Sequence, residues 1–168
     1  MDYVGTNRNA LVRKWLLSIC AMVLLILIVG GVTRLTRSGL SMVDWRPIMG
    51  SIPPLSDLEW NRVFDSYKQF PEYQKINYDM SLSEFKGIFF WEYFHRLLGR
   101  LVGLLFFIPW VYFLATNRIR GRFVVKSFFG FLLGGAQGLM GWYMVRSGLV
   151  NVPHVSHYRL TAHLSLAI

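Results

Sequence analysis

Two groups of ionisable residues sit in otherwise apolar stretches, and chemistry is most expected there. The first is Glu92-Tyr93-Phe94-His95-Arg96 with Gly99 and Arg100. The second is His154, His157, Arg159 and His163. At about 100° per residue, Glu92, His95, Gly99 and Gly103 share one helical face roughly 80° wide. The two glycines would leave a flat shelf beside an imidazole, against which a macrocycle could lie. Arg96 and Arg100 fall one turn apart on the adjacent face. In the second group Arg159 and His163 are four apart and share a face.

Counted from the outer ends of their helices, His95 lies about 10 Å deep and His163 about 15 Å. Two parallel helices carrying histidines at similar depth would let both ligate one haem iron, with arginines nearer the surface for its propionates. Blander readings stand beside this one. An interfacial histidine commonly hydrogen-bonds at a helix end, the plainer account of His154 and His157. Arg96 and Arg100 could snorkel to lipid headgroups, and Glu92 could simply pair with Arg96 at i+4.

The elements that must hold these residues follow from composition. The chain has 168 residues, 54% hydrophobic and only 16% charged, where a soluble domain carries about 25% charged residues. A water-soluble globule, a disordered tail and a disulfide scaffold are all poor fits. Lys and Arg number 18 against 9 acids, a net charge of +9. These charges flank apolar runs, so membrane topology explains them better than nucleic acid does. The single cysteine, Cys20, lies within the first apolar run. It permits neither an internal disulfide nor a cysteine-based metal site.

The first run, 15–33, is uncharged and suits a bilayer core of about 30 Å. It reads as a retained helix rather than a signal peptide, because it is long and no A-x-A-like site follows. Residues 34–87 form a polar outer loop with balanced charge. Trp45, Trp60, Phe64, Tyr67 and Phe70 within it argue for a folded unit. A short helix is expected over Ser56–Phe70, with Ser56 as N-cap and Glu59 closing a capping box. The second span is 88–115, where Pro109 should kink the helix. Its charged first third must enter the membrane region or its interface.

The third span is 123–145. Its glycines at 130, 134 and 138 make a stripe suited to close helix packing. Pro153 suits the first turn of a fourth helix, 153–168, incomplete at Ile168. Basic residues cluster at the N-terminus and, without acids, at 117–126. The positive-inside rule therefore places both inside and the 34–87 loop outside. The expected fold is an all-α membrane protein, a four-helix transmembrane bundle with its N-terminus inside. Walker-type, G-x-G-x-x-G and H-E-x-x-H templates are absent, and Ser-His-Asp chemistry has no local signature.

At these residues the sequence resembles the haem A synthase family. The exit from the first helix carries Gly30-Gly31-Val32-Thr33-Arg34-Leu35-Thr36, Ser38-Gly39-Leu40-Ser41-Met42, Trp45 and Pro47. The loop carries Pro53-Pro54, Trp60, Phe64, Tyr67 and Phe70-Pro71-Glu72-Tyr73. The second helix carries Met80, Glu84-Phe85-Lys86 and Glu92 through Arg100. The third carries Gln137-Gly138, Gly141 through Val145 and Ser147-Gly148-Leu149, and the fourth carries Tyr158 through Leu164. The motifs run from about Gly30 to the end and are jointly specific.

The resemblance implies one half of an eight-helix pseudo-symmetric enzyme. That enzyme oxidises a methyl group of haem O to the formyl group of haem A for cytochrome oxidase. By the same resemblance, His95 and His163 would be axial ligands of the substrate haem; Arg96, Arg100 and Arg159 are, from their own placement, the candidate haem-binding arginines. Glu92 would be the catalytic acid/base or charge stabiliser, and haem b would sit in a C-terminal half absent here. The outer loop has no cysteine pair, so the chain resembles the subgroup found in proteobacteria and mitochondria.

The expected partners are haem O, haem A and the lipid bilayer. Haem O synthase, an electron donor or acceptor system and a further copy in an oligomer are further candidates, and nucleic acid is not expected. The expected location is the bacterial inner membrane, multi-pass, with the mitochondrial inner membrane as the alternative. A chain ending within its fourth helix is expected to be a fragment, not active alone. The rival reading is a non-catalytic bis-histidine membrane protein that binds haem or transfers electrons.

Overall fold

In a bilayer, uncharged runs of this length can satisfy their backbone groups only as helices. Helices are what form in this computed structural model, which describes residues 3–43, 49–149 and 153–167. The elements are α1 (Tyr3–Leu35), α2 (Asp57–Lys68), α3 (Pro71–Lys75), α4 (Leu82–Ala115), α5 (Arg122–Gly148) and α6 (His157–Ala167), with a 3-10 turn at Met49–Ser51. Among the described residues there is no strand. Three segments are long and apolar enough to cross a membrane: Ala10–Leu35, Leu82–Ala115 and Arg122–Ser147. The chain is thus an all-α, multi-pass membrane protein.

Several boundaries differ from expectation, for local reasons. The capping box at Ser56 and Glu59 forms as expected. A second box starts α4 six residues before the apolar run. There the Ser81 hydroxyl accepts the Glu84 amide at 3.3 Å, and the Glu84 carboxylate accepts the Ser81 amide at 2.8 Å. Pro153 does not open α6, because residues 153 and 154 form a bend. The helix starts where the Ser156 carbonyl accepts the Leu160 amide at 3.0 Å. Its 11 residues make about 16 Å of helix, shorter than a bilayer core. Trp45 and Pro47, assigned above to the loop, lie outside the described residues, as does Ile168.

Two helices end in the same backbone motif. After α1, the Ser38 amide donates to Thr33 O at 2.9 Å and the Arg37 amide to Arg34 O at 3.3 Å. Arg37 adopts φ 52° to allow this. Glycine usually takes that position, and a side chain there costs roughly 1–2 kcal/mol. After α4, Asn117 plays the same part at φ 54°, a conformation asparagine tolerates well.

α1 and α4 pack side by side. Pro109 lies inside α4 and has no N–H, so the Leu105 carbonyl one turn earlier loses its helical donor. The Trp15 indole of α1 supplies the replacement, its Nε1–H donating to Leu105 O at 2.9 Å. The same ring packs against Phe106 and Phe113, and together with Ile119 these residues form the core at the end of the bundle away from the loop. From α4 to α5, Trp110 Nε1 donates to Ser127 Oγ at 2.9 Å.

At the loop end, α2 and α3 fold over the first turns of α4. Met42, Phe64, Tyr67, Phe85 and Phe89 form the core there, with Trp60 and Tyr73 against it. The expectation of a folded loop therefore holds. Glu72 is buried in it and accepts the Tyr67 hydroxyl at 3.1 Å. Asn77 Nδ2 donates to the same hydroxyl oxygen at 2.8 Å. Burial, and secondarily the Glu92 charge, push the Glu72 carboxyl up to about 7, against the pull of the Tyr67 bond and of Arg37.

A carboxyl raised on folding leaves stability intact below its unfolded value near 4.5. That stability is lost as pH rises toward 7, because there the native state holds a proton that the unfolded chain has released. The loop is therefore expected to melt more easily at pH 8 than at pH 5, through this group by at most about 3 kcal/mol. Glu72→Gln should remove that contribution. Near-ultraviolet circular dichroism of the two proteins at both pH values checks this. An identical pH dependence in wild type and variant contradicts it.

Candidate functional site

The exit from α1 is locked onto α4 by an ion pair. Glu92 is buried. Its Oε2 accepts the Ser41 hydroxyl at 2.7 Å and the Met42 amide at 2.7 Å. Its other oxygen pairs with Arg96 one turn on. Arg96 in turn donates to the Met42 carbonyl at 3.1 Å. Both backbone groups of Met42 are therefore held by two side chains of α4, one turn apart. Ser41 is fully buried and also donates to Ser38 O at 3.0 Å. A carboxylate taken this far from water is tolerated only with such a complete set of partners.

His95 lies on the next turn of α4, half-buried. Its ring rests on α1, where a Cβ at Gly30 would stand only 3.1 Å from His95 Nε2. Glycine is what leaves room for the imidazole against that helix, with Nε2 its nearest ring atom. His163 of α6 is seated in the same way on α5, where a Cβ at Gly141 would stand 3.1 Å from His163 Cε1. Gln137 of α5 donates to the His163 carbonyl at 3.0 Å, and its amide nitrogen is 3.4 Å from His163 Nε2. Among the described residues, nothing hydrogen-bonds the buried His163 Nδ1.

The glycines that matter differ from those expected. Gly99 meets only Ile26 Cδ1, at 3.6 Å, and nothing lies within 4 Å of a Cβ at Gly103. The shelf under His95 therefore comes from α1 and not from its own helix. Nothing lies within 4 Å of Gly130, Gly134 or Gly138 either, so the α5 stripe packs against no described residue. Gly141, one turn further on, is the close-contact glycine of that helix.

The remaining candidates separate into groups. Arg100 is half-buried one turn beyond Arg96. Arg159 stacks over the Tyr143 ring of α5 at 4.7 Å, beside the helix that seats His163. His154 and His157 are exposed. Residues that sequence reasoning did not single out for a role are Gly30, Ser41, Met42, Gln137 and Gly141. Gln137 was the most visible of these, as a polar side chain in an apolar span.

The donor set suits a haem iron better than a metal held by protein alone. Among the described residues no three His, Cys, Asp or Glu side chains come together as a metal site. A pair of imidazoles, one with an orphaned buried nitrogen, is the set that axial haem ligation needs. Ligation by His95 Nε2 would require the ring to turn away from Gly30.

Known proteins point the same way. Heme A synthase of Nitrosospira multiformis is 59% identical over 96% of this chain and 47% of its own length. That of Paramagnetospirillum magneticum is 57% identical over 97% and 46%, and that of Flavobacterium johnsoniae is 51% identical over 96% and 48%. The chain spans about half the length of these relatives. No solved structure matches it. The family model described as cytochrome oxidase assembly protein matches residues 13–168, a range that takes in the Glu92–Arg96 lock and both seated histidines, and the chain belongs to that family.

Proposed function

We propose that this chain is the substrate-binding, N-terminal half of a haem A synthase, which oxidises a methyl group of haem O to the formyl group of haem A. The observation that carries the reading is the pair of glycine-seated imidazoles on α4 and α6, one with a buried nitrogen that nothing else uses. His95 and His163 bind and orient the substrate through its iron. Glu92 sits one turn from His95. Its carboxylate already accepts from a hydroxyl, an amide and a guanidinium, which favours a fixed negative charge near the reacting carbon over a proton acceptor.

The surrounding arrangement is read in the same terms. The basic N-terminus and the 117–126 connection face the bacterial cytoplasm, and the α2–α3 loop covers the site from outside. The membrane is the bacterial inner membrane. The remaining half of the protein supplies a second histidine pair for haem b and the route for electrons.

The test is conversion of haem O to haem A by the full-length protein, with the haem absorbance recorded. Conversion, together with low-spin absorbance that depends on His95, supports the reading. Haem bound without conversion would instead make this a haem-binding or electron-transfer protein, and no haem absorbance would remove both.

A further inference from the structure

A cavity of about 330 Å³ opens at the loop end of α4 and α5. Its walls include Met42, Phe70, Trp142 and Leu149, with two cations, Arg96 and Arg146. Its position follows from the histidine seats. Arg96 follows His95 on α4, and Trp142 follows Gly141, the seat of His163, on α5. The cavity therefore adjoins the level at which both imidazoles sit, on the side of the loop.

The two arginines are held differently. Among the described residues, Glu92 and Met42 O engage one terminal nitrogen of Arg96, and guanidinium carries five N–H donors. Arg146 lies over the Trp142 ring, 5.2 Å from its centroid. Among the described residues no carboxylate pairs with it. Trp142 orients the planar cation without consuming its donors. An apolar cavity with two forked cations at one edge is complementary to a flat apolar molecule bearing carboxylates at one edge.

Resting on the haem reading above, we infer that Arg146, together with Arg96, forms the subsite for the propionate carboxylates of the substrate haem. Arg146 joins the arginines first expected there, and its role is binding and orientation.

The test uses the full-length protein and titrates ferric haem and its dimethyl ester, following the Soret band. The part of the signal lost in the His95→Ala, His163→Ala double variant defines this site. Arg146→Ala should weaken free-acid haem at the site roughly tenfold, the scale of one charge-assisted contact, and leave the dimethyl ester unchanged. Arg146→Lys should fall between. Equal weakening of both ligands, or none, overturns the subsite while wild-type binding leaves the haem reading standing. A guanidinium that serves a lipid headgroup gives the second of those results. Absence of haem uptake that depends on this histidine pair overturns both together.

Discussion

Replacing His95 with alanine in the full-length protein should abolish the low-spin bis-imidazole spectrum of haem bound in this half, and with it the conversion of haem O. His163→Ala should do the same. Removing a group that merely supports a metal ligand costs about 10- to 100-fold, so losing the ligand itself should exceed that. The two single variants should each leave a high-spin, five-coordinate spectrum, because one imidazole remains. The double variant should bind no haem at this site. Absorbance spectra of the purified proteins and product analysis check both. His95 and His163 rest on glycines of two different helices, so neither substitution disturbs the other's seat. A spectrum indifferent to both replacements would contradict the assignment.

The second large effect is expected at Glu92. Alanine there strips the partners from the Ser41 hydroxyl and the Met42 amide and leaves Arg96 without its counter-ion. Breaking a buried ion pair from one side costs about 3–5 kcal/mol, so the segment after α1 should come loose from α4. Faster proteolysis of residues 36–43 would report it. Glu92→Gln separates shape from charge. Its amide oxygen still accepts from Ser41 and Met42, so haem affinity should stay within about threefold, less than 1 kcal/mol. Conversion should fall roughly 100-fold, as when a preorganised electrostatic group is removed from a reacting centre. Unchanged haem A production by Glu92→Gln would remove the role of the charge.

Much of this was legible because membrane spans announce themselves as uncharged runs, and because His95 and Glu92 share a helical face by spacing alone. The Ser56–Glu59 box was legible in the same way. Its twin at Ser81 and Glu84 escaped because hydropathy sets the expected start of α4, and a capped helix begins at its cap, here well before the apolar residues do. The seats of the histidines were not legible. Gly99 and Gly103 lie on the right face of α4, but a helix cannot press a ring against its own backbone. The glycines that matter sit across the interface, on α1 and α5. The Glu92–Met42 contact joins positions fifty apart and uses backbone groups, which every residue owns and no pattern marks.

Pro109 leaves the Leu105 carbonyl without a helical donor, and the group that replaces it has a consequence for how the protein is made. A carbonyl without a partner in hydrocarbon costs several kcal/mol. Were α4 to enter the bilayer alone, it would carry that penalty. The indole that relieves it belongs to Trp15 of α1, which is synthesised before α4. Order of synthesis thus provides the partner before the helix that needs it. The donor for the Leu105 carbonyl therefore lies earlier in the chain than the helix that carries His95.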